Sequence, residues 1–512
     1  MKRAKDSLQF RQKPYTGRRR FLKRVAFSAA AALLPATRAA AHSPPMAAKR
    51  PNVLFLFSDD QRFDTIRALG NPEILTPNLD QLVQEGTTFT HAHIMGSNLP
   101  AVCVPSRAML MTGRSLFHLQ ERGNTIPPEH VTLPELLRRD GYTTFATGKW
   151  HNDKASFTRS FAQGGKIFFG GMSEHWKVPV FDYDPAGEYA RERQYPGEKF
   201  SSELFADEAT RFLENHAANR PFFLYVAFKA PHDPRTPPKK FADLYVPEKL
   251  SVPQNFMPEH PFDNGELRIR DEQLAPWPRT PAIVREHLAA YYGMISHMDS
   301  QIGRVLEILR KRGHANNTIV IFASDNGLAV GQHGLLGKQN LYEHSVRVPL
   351  IIGGPGIPKG ERRSGLCYLT DVFPTVCGLI DAPVPETVEG LSLMPQIEGR
   401  KRPHRDSVFG AYRNCQRMAR DERWKMILYN VQGHRTTQLF DLAHDPWETF
   451  NLAEQPRHAG RVGALTDRLT KWMRTVGDPC DLDKPDWGSW DTGTGASVEP
   501  VHSQEAKAIS LK

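Results

Sequence analysis

The chain has 512 residues, of which 40% are hydrophobic and 24% charged; this excludes an intrinsically disordered polypeptide and exceeds one ordinary domain. The formal charge of +10 resides in residues 1–41, where eleven Lys or Arg stand against one acid, Asp6. The remainder holds 55 basic and 55 acidic residues, so charge gives no reason to expect a nucleic-acid partner.

Arg18-Arg19-Arg20-Phe21-Leu22-Lys23 precedes an apolar run from Val25 to Pro35 and then Ala39-Ala40-Ala41. A basic segment, a short apolar segment and an A-x-A site in that order read as a signal peptide, residues 1–41. The R-R-x-F-L-K order resembles the twin-arginine export signal, which implies export machinery as a partner and a periplasmic or extracellular location. No later apolar run is long enough to span a bilayer, so no transmembrane anchor is expected.

Asn52–Ser58 is a short apolar run ending in Asp59-Asp60 and reads as a buried strand. Thr76–Gly86 has the pattern of an N-capped helix stopped by glycine. Leu133–Asp140 reads as a helix, and Tyr142–Thr147 as a strand running into Gly148-Lys149-Trp150-His151. Ser202–His216 is helical, and Phe222–Phe228 is a strand leading to Pro231-His232. A long helix spans about Ile283–Arg312, and the strand Thr318–Ala323 leads to Asp325-Asn326. This alternation predicts an α/β domain with a mainly parallel sheet flanked by helices, over residues 42–404. Beyond it, Ser407–Tyr412, Gln416–Tyr429 and Thr437–Leu442 read as antiparallel strands, followed by a helix over Pro456–Val476. They predict a small C-terminal α+β subdomain, residues 405–481, before a coil-rich tail, 482–512. The five cysteines, 103, 367, 377, 415 and 480, form neither a C-x-x-C pair nor a dense framework, and no pairing follows.

Asp59-Asp60, Lys149, His151, His232 and Asp325-Asn326 all fall just beyond the C-terminal ends of predicted strands. In open α/β sheets that edge binds ligands. Taken singly, each is a common turn or structural residue; four strands delivering such residues to one edge argue for a site. Cys103-Val104-Pro105-Ser106-Arg107 adds a cysteine where Pro105 can open a helix, placing it where free amides favour an anion. Arg107, one turn on, can point to the same place. On the residues alone Cys103 could be a low-pKa nucleophile or a buried structural thiol.

With Thr112-Gly113, C-x-P-S-R resembles the maturation signature of the formylglycine-dependent sulfatase family of the alkaline phosphatase superfamily. Asp59-Asp60, Gly148-Lys149-Trp150-His151, Pro231-His232, Ser324-Asp325-Asn326-Gly327 and Gly337-Lys338 follow in that family's order. The resemblance covers nearly the whole chain after the leader. It implies an alkaline-phosphatase-like fold and a maturation enzyme that oxidises Cys103 to formylglycine, whose hydrate is a geminal diol. One hydroxyl would attack sulfur, and the other would later lose its proton to expel sulfate. The resemblance makes Arg107 the support of residue 103 and His151 the base for elimination. It makes His232, with Lys338, the acid for the leaving alcohol. Lys149 and Lys338 can hold sulfate oxygens. A serine or histidine between the Lys149 and His232 blocks is also implied, and the sequence places none.

Asp59, Asp60, Asp325 and Asn326 supply hard oxygen donors, which favour Ca²⁺ or Mg²⁺ over zinc. The resemblance selects one calcium ion, with modified Cys103 completing its shell. The expected reaction is hydrolysis of sulfate monoesters, from sulfated carbohydrates or another sulfate ester. A phosphonate or phosphate monoester hydrolase is a rival within the superfamily, and a carbohydrate-binding pseudoenzyme a rival outside it. His333 is a candidate for facing substrate or for loop packing. Arg62, Arg235 and Tyr412-Arg413 are candidates for sugar contacts.

Overall fold

The computed structural model describes residues 50–217, 220–400 and 403–488. The leader and the tail beyond 488 lie outside them. The main sheet uses β1 (Asn52–Asp59), β2 (Gly86–Phe89), β3 (Thr143–Lys149), β4 (Gln163–Phe168), β5 (Phe222–Pro231), β6 (Thr318–Ser324), β7 (Leu350–Gly353) and β8 (Glu361–Arg363). Its order is β8-β2-β7-β6-β1-β5-β3-β4. From β6 to β4 every pairing is parallel. Only β7 runs against its neighbours, β6 and β2, so the expected parallel sheet is mixed at one side. The sequence reading missed β2, β7 and β8 because runs of three or four residues carry little periodicity.

All eight residues of β1 are buried, as a strand covered on both faces requires. The period of two sorts them. Leu54 and Leu56 enter a core with residues of α1 (Pro77–Glu85), α4 (Ser201–Asn215) and α5 (Pro281–Lys311). Val53, Phe55 and Phe57 enter another with residues of α2 (Cys103–Thr112), α3 (Leu133–Arg139) and α6 (Val372–Leu379). Thr76 precedes α1 without capping it: its hydroxyl accepts from Arg67 N and donates to Asp80. Among the described residues no helix is long and apolar enough to cross a membrane.

The C-terminal sheet has β9 (Val408–Tyr412), β10 (Gln416–Arg420), β11 (Trp424–Val431) and β12 (His434–Asp441), all antiparallel. Gln416–Tyr429 is therefore two strands. The turn is stapled by Asp421, whose carboxylate accepts from Arg423 N and Trp424 N. Gly96-Ser97 joins this sheet in parallel with β9, and α7 (Ala459–Thr475) covers one face with Leu465, Leu469 and Met473.

Candidate active site

The parallel register aligns the strand ends, with Ser58 opposite Ser324 and Asp59 opposite Pro231. Asp59, Lys149, His232 and Asp325 consequently reach one edge from four strands. In β3 the pairing with β4 shifts at Thr147/Gly148. Gly148 has φ +96, and a Cβ there would lie 1.9 Å from the Ala227 carbonyl oxygen, so only glycine fits. The irregularity re-aims the next side chain, and Lys149 Nζ lies 2.5 Å from Asp59 Oδ2.

Helix α2 begins at Cys103 itself, two residues before Pro105, and all ten of its residues are buried. Lys338 Nζ lies 3.2 Å from Cys103 Sγ and 2.5 Å from Asp60 Oδ1. Arg107 donates from Nε to Asp325 Oδ2 at 2.9 Å and from Nη1 to the Lys149 carbonyl at 2.8 Å. Ser106 Oγ donates to the Asp325 carbonyl at 2.5 Å. The signature thus clamps α2 to the ends of β3 and β6.

Asp59, Asp60, Cys103 and His232 form a buried group whose candidate ligand atoms lie within 4.8 Å of one another. Asp325 sits beside it, accepting from Asp60 N at 3.1 Å and from Arg107. Asn326 donates Nδ2 to Asp60 Oδ1 at 2.7 Å. Buried Asp59 Oδ1, Asp60 Oδ2 and Asn326 Oδ1 have no hydrogen-bond partner. Three orphaned oxygens on adjoining residues fit a hard divalent cation. Charge agrees: Asp59, Asp60 and Asp325 are balanced by Lys149, Lys338 and Arg107, so a divalent cation would leave a net positive site for an anion.

Burial pushes Asp60 up, and burial together with Asp59 pushes Asp325 up to about 7; these carboxylates call for more positive charge than their partners supply. Burial opposes ionisation of Asp59 too, but Lys149, His232 and Arg107 outweigh it and hold that carboxyl well below its usual range. Burial also pushes the Cys103 thiol up to about 12, despite Lys149 and Lys338. These surroundings favour the protonated thiol, which weighs against the low-pKa nucleophile reading. Burial, reinforced by Lys149 for His151 and by Lys338 for His232, holds both imidazoles well below their ordinary value.

Asp60 and His151 are both left-handed, at φ 67 and 70. Tyr291, from α5, pins the first: its hydroxyl donates to the Asp60 carbonyl at 2.6 Å and accepts from Arg62 N at 3.0 Å. His151 packs on Gly171, where a Cβ would meet Nε2 at 2.6 Å. His232 Nε2 lies 3.7 Å from Asp60 Oδ2, and Nδ1 lies 2.8 Å from the Asp233 carbonyl.

Two residues behind His232 escaped the sequence reading. His175 places Nε2 2.8 Å from the His232 carbonyl and 3.1 Å from Lys229 Nζ. Burial pushes Lys229 down to about 7. His175 thus supports the His232 backbone. It lies in an irregular segment with no periodic signal. His333 stacks on Tyr342 with centroids 3.8 Å apart and meets the Glu448 carbonyl, which is the loop-packing role. Arg62 pairs with Asp64, Arg235 meets His287 and Arg413 pairs with Glu266. All five cysteines are free thiols.

Residues 51–382 match the sulfatase family, and residues 331–475 match the C-terminal region of N-sulphoglucosamine sulphohydrolase. The chain belongs to the sulfatase family. It is a hydrolase acting on sulfuric ester bonds. An arylsulfatase of Clostridium perfringens is 29% identical over 82% of this chain and 94% of its own length. An N-acetylglucosamine-6-O-sulfatase of Bacteroides thetaiotaomicron is 26% identical over 81% of this chain and 83% of its own. Among solved structures, one in complex with D-glucosamine-2-N,6-O-disulfate superposes with a TM-score of 0.71 at 23% identity, covering 84% of this sulfatase and 99% of that chain. The phosphonate monoester hydrolase of Agrobacterium radiobacter gives 0.68 at 23% identity, over 83% and 96%. Both carry the same fold.

Proposed function

We propose that this sulfatase removes sulfate from sulfated carbohydrates, using a formylglycine made from Cys103 and one calcium ion held by Asp59, Asp60, Asn326 and Asp325. The observation that carries this reading is Cys103 itself: a buried, protonated thiol at a helix start, touching Lys338, beside three unpartnered oxygens. A thiol so placed is a poor nucleophile, whereas a hydrated aldehyde at the same position presents two hydroxyls to the anion site. Bound calcium would neutralise sulfate charge and lower the pKa of the diol.

The chain's own groups divide the work. Lys149 and Lys338 hold sulfate oxygens, and the first amides of α2 add an anion-favouring field. One hydroxyl of the hydrated residue 103, its proton lost to solvent, would form the new O–S bond while the S–O bond to the alcohol breaks. His232, with Lys338 beside it and taking up a proton once the sulfate anion is bound, would give that alcohol its proton. His151 would then take the proton of the remaining hydroxyl, so that the aldehyde is restored and sulfate departs with its bridging oxygen. Arg107 keeps Asp325 and the Lys149 carbonyl in register with residue 103. A maturation enzyme modifies Cys103, and the leader over 1–41 takes the protein to the periplasm or the medium through export machinery.

Turnover of an aryl sulfate, an aryl phosphate and an aryl phosphonate by mature enzyme tests this reading. Sulfate is expected to be preferred. A preference for phosphonate would favour the rival activity of this fold, and no turnover of any ester would favour a binding protein.

A further inference from the structure

We infer that this sulfatase has a second saccharide site, separate from the catalytic centre, which takes an anionic sugar unit of the same glycan. This rests on the reading of the substrate as a sulfated carbohydrate. The site is a cavity of about 410 Å³ at the C-terminal end of β2, lined by Arg62, Phe63, Arg347, Arg362 and Trp447 among others. Its volume falls in the range of small-ligand pockets, about 300–1,000 Å³. Neither the proposed calcium ligands nor Lys149, His232 or Lys338 line it.

Its lining has the chemistry of sugar recognition. Phe63 and Trp447 are half-buried rings stacked 6.5 Å apart and 26° from parallel. The Arg347 guanidinium carbon lies over the Phe63 ring, 4.0 Å from its centre, so the cation covers Phe63 and Trp447 is the ring placed to meet the C–H face of a pyranose. Exposed Gln254 on the same wall offers its amide to hydroxyls, while Asn71 and Gln332 are held by internal hydrogen bonds.

Charge selects an acidic sugar over a neutral one. Arg62 is neutralised by Asp64, at 2.8 Å. Arg347 donates to the Thr90 carbonyl at 2.7 Å, and its nearest carboxylate, at 3.8 Å, is Glu343, which also meets Arg420 and Lys425. Exposed Arg362 donates to the Ala68 carbonyl and makes no ion pair among the described residues. Two arginines therefore face one further carboxylate of the wall, Glu73, which accepts from Ser251 N.

Topology sets the distance to the catalytic centre. Strand β2 is antiparallel to β7, which is antiparallel to β6; β2 and β1 therefore point the same way, and their C-terminal ends share an edge. Three strand spacings of about 4.8 Å separate them, roughly 14 Å. The near wall of the cavity lies closer, because Arg62 is two residues from Asp60 and shares the Tyr291 hydroxyl with it, so the cavity suits a neighbouring sugar unit of an oligosaccharide lying along the edge.

The test uses full-length, mature enzyme with Trp447→Ala and, separately, Arg362→Ala, neither in the catalytic machinery. The probes are an aryl sulfate, a sulfated hexasaccharide and the same hexasaccharide without sulfate. Each variant is expected to keep aryl sulfate kcat/KM and to weaken binding of the sulfated hexasaccharide, measured by calorimetry, by about tenfold or more, as for a truncated hot spot. Wild type is expected to bind the unsulfated chain more weakly, and Arg362→Ala to narrow that difference. Wild-type hexasaccharide affinity in both variants would overturn the inference, as would a parallel loss on aryl sulfate, which marks a structural role. Failure of wild type to hydrolyse aryl sulfate would strike the catalytic reading alone, since calorimetry still decides the second site.

Discussion

Replacing Tyr291 with Phe removes one hydroxyl from a fully buried side chain and tests how the Asp59-Asp60 turn is held. That hydroxyl donates to the Asp60 carbonyl and accepts from Arg62 N, and both residues are at most 2% exposed. The phenyl ring leaves two buried backbone groups without a partner. An unsatisfied buried group costs about 1–3 kcal/mol, so with two of them Tyr291→Phe is expected to lose about 2–6 kcal/mol. Asp60 is also left-handed, at φ 67, a conformation that costs most residues about 1–2 kcal/mol and aspartate less. The freed turn is therefore expected to relax in the absence of metal. If about 1.4 kcal/mol of the loss must be restored when Asp60 re-forms the metal site, calcium affinity falls about tenfold. Chemical denaturation with and without calcium measures the first quantity, and competition with a chelator the second. Wild-type calcium affinity in a destabilised Tyr291→Phe protein would show that Tyr291 only supports the fold. Wild-type values for both would refute the argument.

Mass spectrometry of active enzyme is expected to find residue 103 as CHO and not CH₂SH; an unmodified thiol in fully active material would overturn the mechanism. Cys103→Ser is expected to fold and to accumulate sulfated protein without turnover, because a single hydroxyl cannot expel sulfate. Thorough chelation should abolish turnover, with calcium restoring it better than zinc; full activity without metal would remove Asp59, Asp60, Asn326 and Asp325 from that role. His232→Ala should slow the first step by about 10²–10⁴-fold on a sugar sulfate and much less on a nitrophenyl sulfate. His151→Ala should instead trap sulfated enzyme in rapid-quench mass spectrometry; an adduct on His232→Ala and none on His151→Ala would reverse the two assignments.

Of the residues gathered at the candidate site, Asp59, Asp60, Lys149, His151, His232, Asp325 and Asn326 were legible because they stand at or just beyond strand ends, which are local boundaries, whereas Cys103, Arg107 and Lys338 were picked out by the family resemblance. Apolar runs ending at Asp59, Lys149 and Asp325 mark their own ends, and parallel pairing then brings those ends to one edge. Local signals do not say what a side chain meets there. Arg62, Arg235 and Arg413 were equal candidates for substrate; tertiary packing pairs Arg62 with Asp64 and Arg413 with Glu266, whereas Arg235 meets His287 through Nη1 and keeps buried Nε and Nη2 without a hydrogen-bond partner among the described residues. His333 was equally open until Tyr342 stacked on it. His175 had no periodic context, and only folding sets it behind His232. The orphaned oxygens of Asp59, Asp60 and Asn326, and the charge balance around them, likewise depend on residues up to 278 positions apart. Sequence thus determined which groups reach the edge of the sheet, through hydrophobic periodicity and its interruptions. Tertiary structure alone decided which of them are left unpaired there, because hydrogen bonds and ion pairs between distant residues are settled by three-dimensional packing.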